Sequence, residues 1–292
     1  MNVSLLNGSR NPGLAAPADE PASPVPDRVR IGIVLSAGGL RGAAHLGVLR
    51  TLLRHEVPVK VMVGVSAGAI IAAYYAAVGF TANEMIADAP IFRGRHIVMH
   101  GLTLRAPLTF KPFLRRFCGV IPERLGQLDA CDFDTLHHGI QQLGIVCHDL
   151  IRNQPCYFST ADHRGARLAD VVRASAAMPG VLPSRTLTLG GEEFRLVDGG
   201  ISDSLPMRFA RSPGLDATHL IVSDCRSTGG GRPPSDDTVV YIRPELDGIR
   251  PLRAPRLALM KAVWLGETAV TPEIVQQIKW WQAEAVASSL KK

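Results

Sequence analysis

The sequence predicts an α/β protein, a three-layer α/β/α sandwich with a mostly parallel central sheet, and three observations carry that prediction. Two short runs in the first quarter of the chain, R-I-G-I-V-L at 30–35 and V-M-V-G-V at 61–65, are apolar after the leading arginine rather than alternating. That is the signature of strands buried on both faces. Each run is followed by a turn of small residues and then by helix-forming sequence, in the order β-turn-α-β-turn-α that builds a parallel sheet covered by helices. At 292 residues and 46% hydrophobic content, the chain can bury a core of that size.

Taken in order, the first strand at 30–35 leads into a Gly-rich turn at 36–42 and a helix over 43–55, and residues 57–63 supply a second strand. The apolar run 67–78 reads as a buried helix, too short to span a bilayer. From 81 to 135 the pattern is irregular, with Pro90, Pro107, Pro112 and Pro122 separating short apolar pieces, and this is expected to be an inserted cap. Strands follow at 143–148 and 156–159, then a helix around 168–177, strands near 194–197 and 219–224, and an edge strand at 239–243. A Pro/Arg-rich link leads to C-terminal helical segments that carry Trp264, Trp280 and Trp281. The expected organisation is a disordered leader over 1–28, a catalytic domain over 29–245 with the insert at about 81–135, and a helical extension over 246–292.

Composition narrows the class. Cys118, Cys131, Cys147, Cys156 and Cys225 are odd in number and form no C-x-x-C pair, so neither a disulfide framework nor a zinc site is indicated, and a reducing compartment fits. The first 28 residues are rich in Pro, Ala, Ser and Gly and hold no apolar core of signal-peptide length. A cytoplasmic or peripheral-membrane location is expected, with export by a signal-independent route left open. The net charge of +6 would suit a polyanion, but few aromatics and no recognised motif speak against a nucleic-acid partner. Between 92 and 117, however, Arg93, Arg95, Arg105, Lys111, Arg115 and Arg116 are interleaved with apolar residues, with no acid among them. Either an ordinary basic surface or a membrane-facing segment would have this composition.

Chemistry concentrates in three blocks. Gly64-Val65-Ser66-Ala67-Gly68 joins a strand to a helix, the setting of a nucleophile elbow, in which small residues on either side let the backbone turn sharply and expose a serine hydroxyl. Ala37-Gly38-Gly39-Leu40-Arg41-Gly42 lies between the first strand and the first helix and offers clustered backbone N–H groups suited to an oxyanion. It lacks the Gly-Lys-Ser/Thr ending of a P-loop. A dinucleotide fingerprint fits poorly, because Ala37 replaces the first glycine and Glu56 precedes the second strand. In the third block, Asp198 ends an apolar strand and is followed by Gly199 and Gly200, which permit close backbone approach. Alone, such an Asp is most simply the start of a turn.

In this order the three blocks resemble the patatin-like phospholipases, of bacterial type, whose pattern is a Gly-rich turn with a cation, then G-x-S-x-G, then D-G-G or D-G-A. The segment from Arg173 to Pro183 is similar to the family's helix-to-Pro segment, and the resemblance covers residues 29–226. Two departures are visible: Ala37 where a first glycine is common, and Ser204 where Asn is frequent. The resemblance implies a Ser-Asp dyad in which Ser66 attacks an acyl ester and Asp198 takes its proton, with Gly64 and Gly68 shaping the elbow and Gly199 and Gly200 the base block. It implies an oxyanion site among the N–H groups of Gly38, Gly39, Leu40 and Arg41, and no metal or cofactor. Asp198 should be partly desolvated, since an ordinary Asp is too acidic for a strong base at neutral pH. The Arg41 side chain would either meet lipid phosphate or brace the turn.

The implied substrates are phospholipids or related acyl lipids. A soluble carboxylesterase and a non-catalytic membrane-binding protein on the same fold are the alternatives. A Ser-Asp-His triad would need His219, the histidine that follows Asp198, yet its place at the start of a strand suits a structural role. His45 reads as a packed helix residue, and His137 and His138 as a solvated helix face.

Overall fold

The computed structural model describes residues 29–227, 231, 236–255 and 257–289, so the leader expected over 1–28 lies outside the described residues. β1 (Ile31–Leu35) runs into a 3-10 turn at Gly39–Gly42 and then α1 (Ala43–Arg54). β2 (Val61–Val65) delivers the chain to α2 (Ala67–Ala73), which widens into a π-helical turn at Tyr74–Val78. Next come α3 (Ala82–Ala87), α4 (Gly94–Arg105), α5 (Lys111–Arg115) and α6 (Ile121–Gln127). β3 (Gln142–Asp149), β4 (Gln154–Ser159), α7 (Leu168–Ser175), β5 (Arg185–Leu189), β6 (Glu192–Asp198) and α8 (Met207–Ala210) follow. β7 (His219–Ser223), β8 (Val239–Ile242), α9 (Ala258–Thr268) and α10 (Pro272–Ser289) complete the chain.

The strands form one sheet in the order β5-β6-β3-β2-β1-β7-β8, with β4 also paired to β3. β8, β7, β1, β2 and β3 are mutually parallel, and β4, β5 and β6 join through antiparallel pairs. Side chains alternate across this sheet. Ile31, Ile33 and Leu35 enter the large core with α1, α2 and α7, whereas Val34, Val61, Val63, Leu220 and Val222 pack on the opposite face with Ala210 of α8 and the segment around Leu215. The result is the three-layer α/β/α sandwich with a largely parallel sheet that the sequence predicts.

Several elements differ from the sequence reading. The second strand is 61–65, not 57–63: Pro58 has no N–H to donate, and β1 pairs from Gly32↔Val61 to Leu35↔Gly64. β5 was not expected; it pairs with β6 across a Gly190-Gly191 turn whose φ values are +58° and +83°. The stretch 81–135 is not irregular but largely helical, because its prolines sit at helix ends: Pro112 and Pro122 occupy the first turns of α5 and α6, where a missing N–H costs nothing. His137 and His138 lie in a turn rather than on a helix; His138 has φ +54° and stacks on Tyr75. In the C-terminal segment, α9 crosses α1 so closely that a Cβ on Gly47 or Gly266 would strike the other helix's backbone, and Trp281 of α10 is fully buried with its indole N–H on the Asp237 carbonyl at 2.8 Å.

Candidate active site

Ser66 stands at the carboxyl end of β2 with φ +57° and ψ −120°, a strained backbone that the sharp turn into α2 imposes. The two flanking glycines are needed for their lack of a side chain. A Cβ on Gly64 would meet the Gly68 backbone, and one on Gly68 would meet the Leu35 carbonyl of the neighbouring strand. The Ser66 N–H donates to Ser175 Oγ at 3.0 Å, and that hydroxyl donates to the Val146 carbonyl at 2.6 Å, so the end of α7 ties the elbow to β3. The sequence pattern gives Ser175 no role of its own; a lone hydroxyl within the Ala-rich end of an amphipathic helix is the signal it carries.

Asp198 ends β6 and reaches the elbow from two strands away. Ser66 Oγ–H donates to Asp198 Oδ2 at 2.6 Å, and the Gly200 N–H donates to Oδ1 at 2.8 Å. Gly199 allows this approach, since a Cβ there would strike the Val146 carbonyl. Both side chains are buried. Burial holds the Asp198 carboxyl above the ordinary carboxylate range, and the bonds from Ser66 and Gly200 oppose the shift only in part. The pair is therefore a hydroxyl hydrogen-bonded to a desolvated carboxylate, an arrangement able to move one proton between them.

The Gly-rich turn lies beside this pair. Leu40 N–H donates to the Pro251 carbonyl at 2.9 Å and Arg41 N–H to the Gly38 carbonyl at 3.1 Å. Gly38 and Gly39 are the two candidate N–H groups without an acceptor among the described residues. Gly39 has φ +55° and no room for a Cβ against Pro251, while Ala37 is not in the left-handed region, so alanine is accommodated there. The Arg41 guanidinium donates to the carbonyls of Cys225, Leu246, Ile249 and Arg226 at 2.8–3.1 Å. Of its two sequence readings, bracing is the one its contacts match.

The histidines stand apart from the Ser66–Asp198 pair. His45 is buried, with Nδ1 2.7 Å from Ser223 Oγ and Nε2 3.0 Å from the Ser36 carbonyl, which makes it an Nε2–H donor. Desolvation lowers its pKa to about 4. His219 pairs with Ile31 at the amino end of the parallel strands, whereas Ser66 follows their carboxyl end. Roughly five residues of strand, about 16 Å, separate those two edges.

Ser66 opens onto a cavity of about 760 Å³ whose wall includes Ile70, Tyr74, Phe80, Met85 and Leu104. Helices α4 to α6 cover it, with α4 held down where Gly101 abuts the Val181 carbonyl and Arg105 Nη1 donates to that same carbonyl at 2.7 Å. Among the described residues no cluster of three or more His, Cys, Asp or Glu could hold a metal ion.

A family model described as patatin-like phospholipase matches residues 33–211, which span every block of the site. The chain is 29% identical over 195 residues to the lysophospholipase nte1 of Aspergillus fumigatus, covering 65% of this chain and 12% of that protein. It is 30% identical over 176 residues to an NTE-family protein of Mycobacterium tuberculosis, covering 60% of this chain and 27% of that one. The chain thus spans a small part of the curated relatives it matches. Among solved structures, VipD from Legionella pneumophila superposes with a TM-score of 0.50 at 16% identity over 87% of this chain and 67% of that one, a likeness of fold.

Proposed function

The chain belongs to the patatin-like phospholipase family, and from that premise we propose that it hydrolyses carboxylic ester bonds of phospholipids or related acyl lipids through a Ser66-Asp198 dyad. The observation that carries the reading is the 2.6 Å hydrogen bond from Ser66 Oγ to the desolvated Asp198 carboxylate at the floor of an apolar cavity. In this account, Oγ attacks the acyl carbonyl as its proton passes to Asp198 Oδ2. The oxyanion that forms is met by the N–H groups of Gly38 and Gly39, aided by the positive end of α2; one such donor is typically worth about 3 kcal/mol in the transition state. The tetrahedral intermediate collapses, the leaving alkoxide takes the proton from Asp198, and an acyl group remains on Ser66. Water, deprotonated by Asp198, then releases the fatty acid.

Lipid would reach the cavity from a membrane surface. Among the described residues no helix is long and apolar enough to cross a bilayer. Helix α5 and the turns on either side of it nevertheless expose Leu108, Phe110, Phe113 and Phe117 at 80%, 60%, 58% and 49%, beside Lys111, Arg115 and Arg116. Apolar side chains within a basic surface favour peripheral docking on an anionic bilayer. The test is fatty-acid release from mixed phospholipid vesicles, together with nitrophenol release from a p-nitrophenyl acyl ester, by the wild type and Ser66→Ala. Ser66-dependent release from vesicles is the expected outcome. Cleavage of the soluble ester alone would make the protein a carboxylesterase, and full activity in Ser66→Ala would refute the dyad.

A further inference from the structure

The wall of the cavity is apolar except for one group of charges: Arg115, Arg124, Arg173 and Arg185, His100, and the carboxylates Asp88 and Asp129. Both carboxylates are already occupied. Asp88 accepts from Arg124 at 2.7 and 2.9 Å. Asp129 accepts from Arg173 at 2.7 and 2.8 Å and from Arg167 at 3.0 Å. The guanidinium groups of Arg115 and Arg185 have no hydrogen bond or ion pair with the described residues, and Asp170 and Asp129 act on Arg185 only from a distance. His100 Nδ1 is buried without a partner, and Arg173, Arg185 and Arg115 all act on its ring. Arg185 is half-buried without a direct carboxylate partner beside a ring nitrogen that has none, and Arg115 stands exposed next to them, so the three make a site that an anion would complete.

We propose that Arg185, Arg115 and His100 form a phosphate-binding subsite in this cavity, which selects glycerophospholipids over neutral glycerides. The inference rests on the lipid-hydrolase reading and extends it to the head of the substrate. Arginine forks suit phosphate oxygens, and a neutral imidazole adds one N–H donor. Its place suits a lipid bound for cleavage. Arg185 pairs with Leu196 across β5 and β6, two residues before Asp198, which puts its Cα about 8 Å from that of Asp198 by sheet spacing. From there the side chain can meet a phosphate while the glycerol backbone spans to Ser66 and the acyl chain follows the apolar wall.

The test measures binding, so that it stands whether or not turnover is observed. The full chain carrying Ser66→Ala is titrated, below the critical micelle concentration, with a short-chain lysophosphatidylglycerol, with the monoacylglycerol of the same acyl chain, and with the free fatty acid. The lysophospholipid should bind about tenfold more tightly than the monoacylglycerol, the scale of a charge-assisted pair. Adding Arg185→Gln and Arg115→Gln should bring that ratio close to one, and Arg185→Lys should restore part of it, with circular dichroism confirming an unchanged fold. Equal affinities for the two lipids, or a ratio that survives both arginine substitutions, would overturn the proposal. So would an arginine dependence as large for the fatty acid, which would make this a carboxylate site. Absence of Ser66-dependent hydrolysis alongside an intact binding ratio would refute the hydrolase reading alone.

Discussion

At the floor of the cavity the polar atoms of the site, the Gly38 and Gly39 N–H groups apart, have partners: Ser66 N–H on Ser175, its hydroxyl on Asp198, the second Asp198 oxygen on Gly200, and Arg41 on four carbonyls. The roof differs in each respect. α5 and α6 bury none of their residues, Phe113 and Phe117 pack edge to face on each other, and Arg115 is unpaired among the described residues. Under the proposed function the difference reflects two tasks. Proton transfer demands geometry fixed to fractions of an ångström, which only an over-determined network supplies. Admitting a lipid demands a surface whose contacts are completed by the substrate and the bilayer, and such elements come from the less tightly packed part of a fold.

The comparison breaks first at the reacting pair. Ser66→Ala and Asp198→Asn should each lower kcat for ester cleavage by at least about 10⁴-fold, the scale seen when a serine hydrolase loses a member of its coupled catalytic group. Because burial raises the Asp198 pKa, its charged form weakens the fold at neutral pH, and this cost disappears as pH falls below that pKa. Asp198→Asn should therefore abolish turnover while raising the thermal midpoint at pH 7. Next in size is the elbow itself. Gly68→Ala drives a methyl into the Leu35 backbone carbonyl, which cannot move without its strand, and urea unfolding should show a loss of about 3 kcal/mol.

His45 sharpens the comparison through pH. It is neutral and buried under the Gly-rich turn with a pKa of about 4, against an ordinary value of 6.5, so the unfolded chain binds more protons between those two values. Stability from this residue is complete above pH 6.5 and drains away as pH falls toward 4, on the order of 3 kcal/mol in all. Calorimetry across that range should show the midpoint falling, with a flatter slope in His45→Asn. At the roof, Leu108→Ser combined with Phe113→Ser should leave the midpoint within a degree or two, yet lower the ratio of vesicle to soluble-ester hydrolysis about tenfold by removing apolar surface available to the bilayer. The smallest expected effect is that of His219→Ala, whose rate should stay within about twofold of wild type. A loss of several orders of magnitude there would revive a triad.

Legibility in the sequence follows the same division. Gly64, Gly68 and Gly199 could be read because each position excludes a Cβ, and contacts that admit one residue type leave a short motif. Ser66 and Asp198, 132 positions apart, could be paired because each carries such a motif. The Leu40 N–H could not be read as occupied, since its acceptor is Pro251, on a loop whose path depends on the whole C-terminal segment. β5 was missed although Gly190-Gly191 signals a hairpin, because Arg185, Thr186 and Thr188 hide a half-buried edge strand. In the roof, prolines that open α5 and α6 look the same in sequence as prolines that break helices. Nothing in the sequence pattern distinguishes the unpaired Arg185 from the paired Arg173, because pairing is decided by which carboxylate the fold brings near.

The most direct test of the account is to trap the acyl-enzyme. Wild-type protein and the Asp198→Asn variant are mixed with a p-nitrophenyl acyl ester, quenched in acid within the burst phase, digested, and mapped by mass spectrometry. The dyad predicts an acyl adduct on the peptide containing Ser66 in the wild type, and an adduct at most slowly formed in Asp198→Asn. An adduct on another residue, or undiminished acylation of Ser66 without the Asp198 carboxylate, would contradict it.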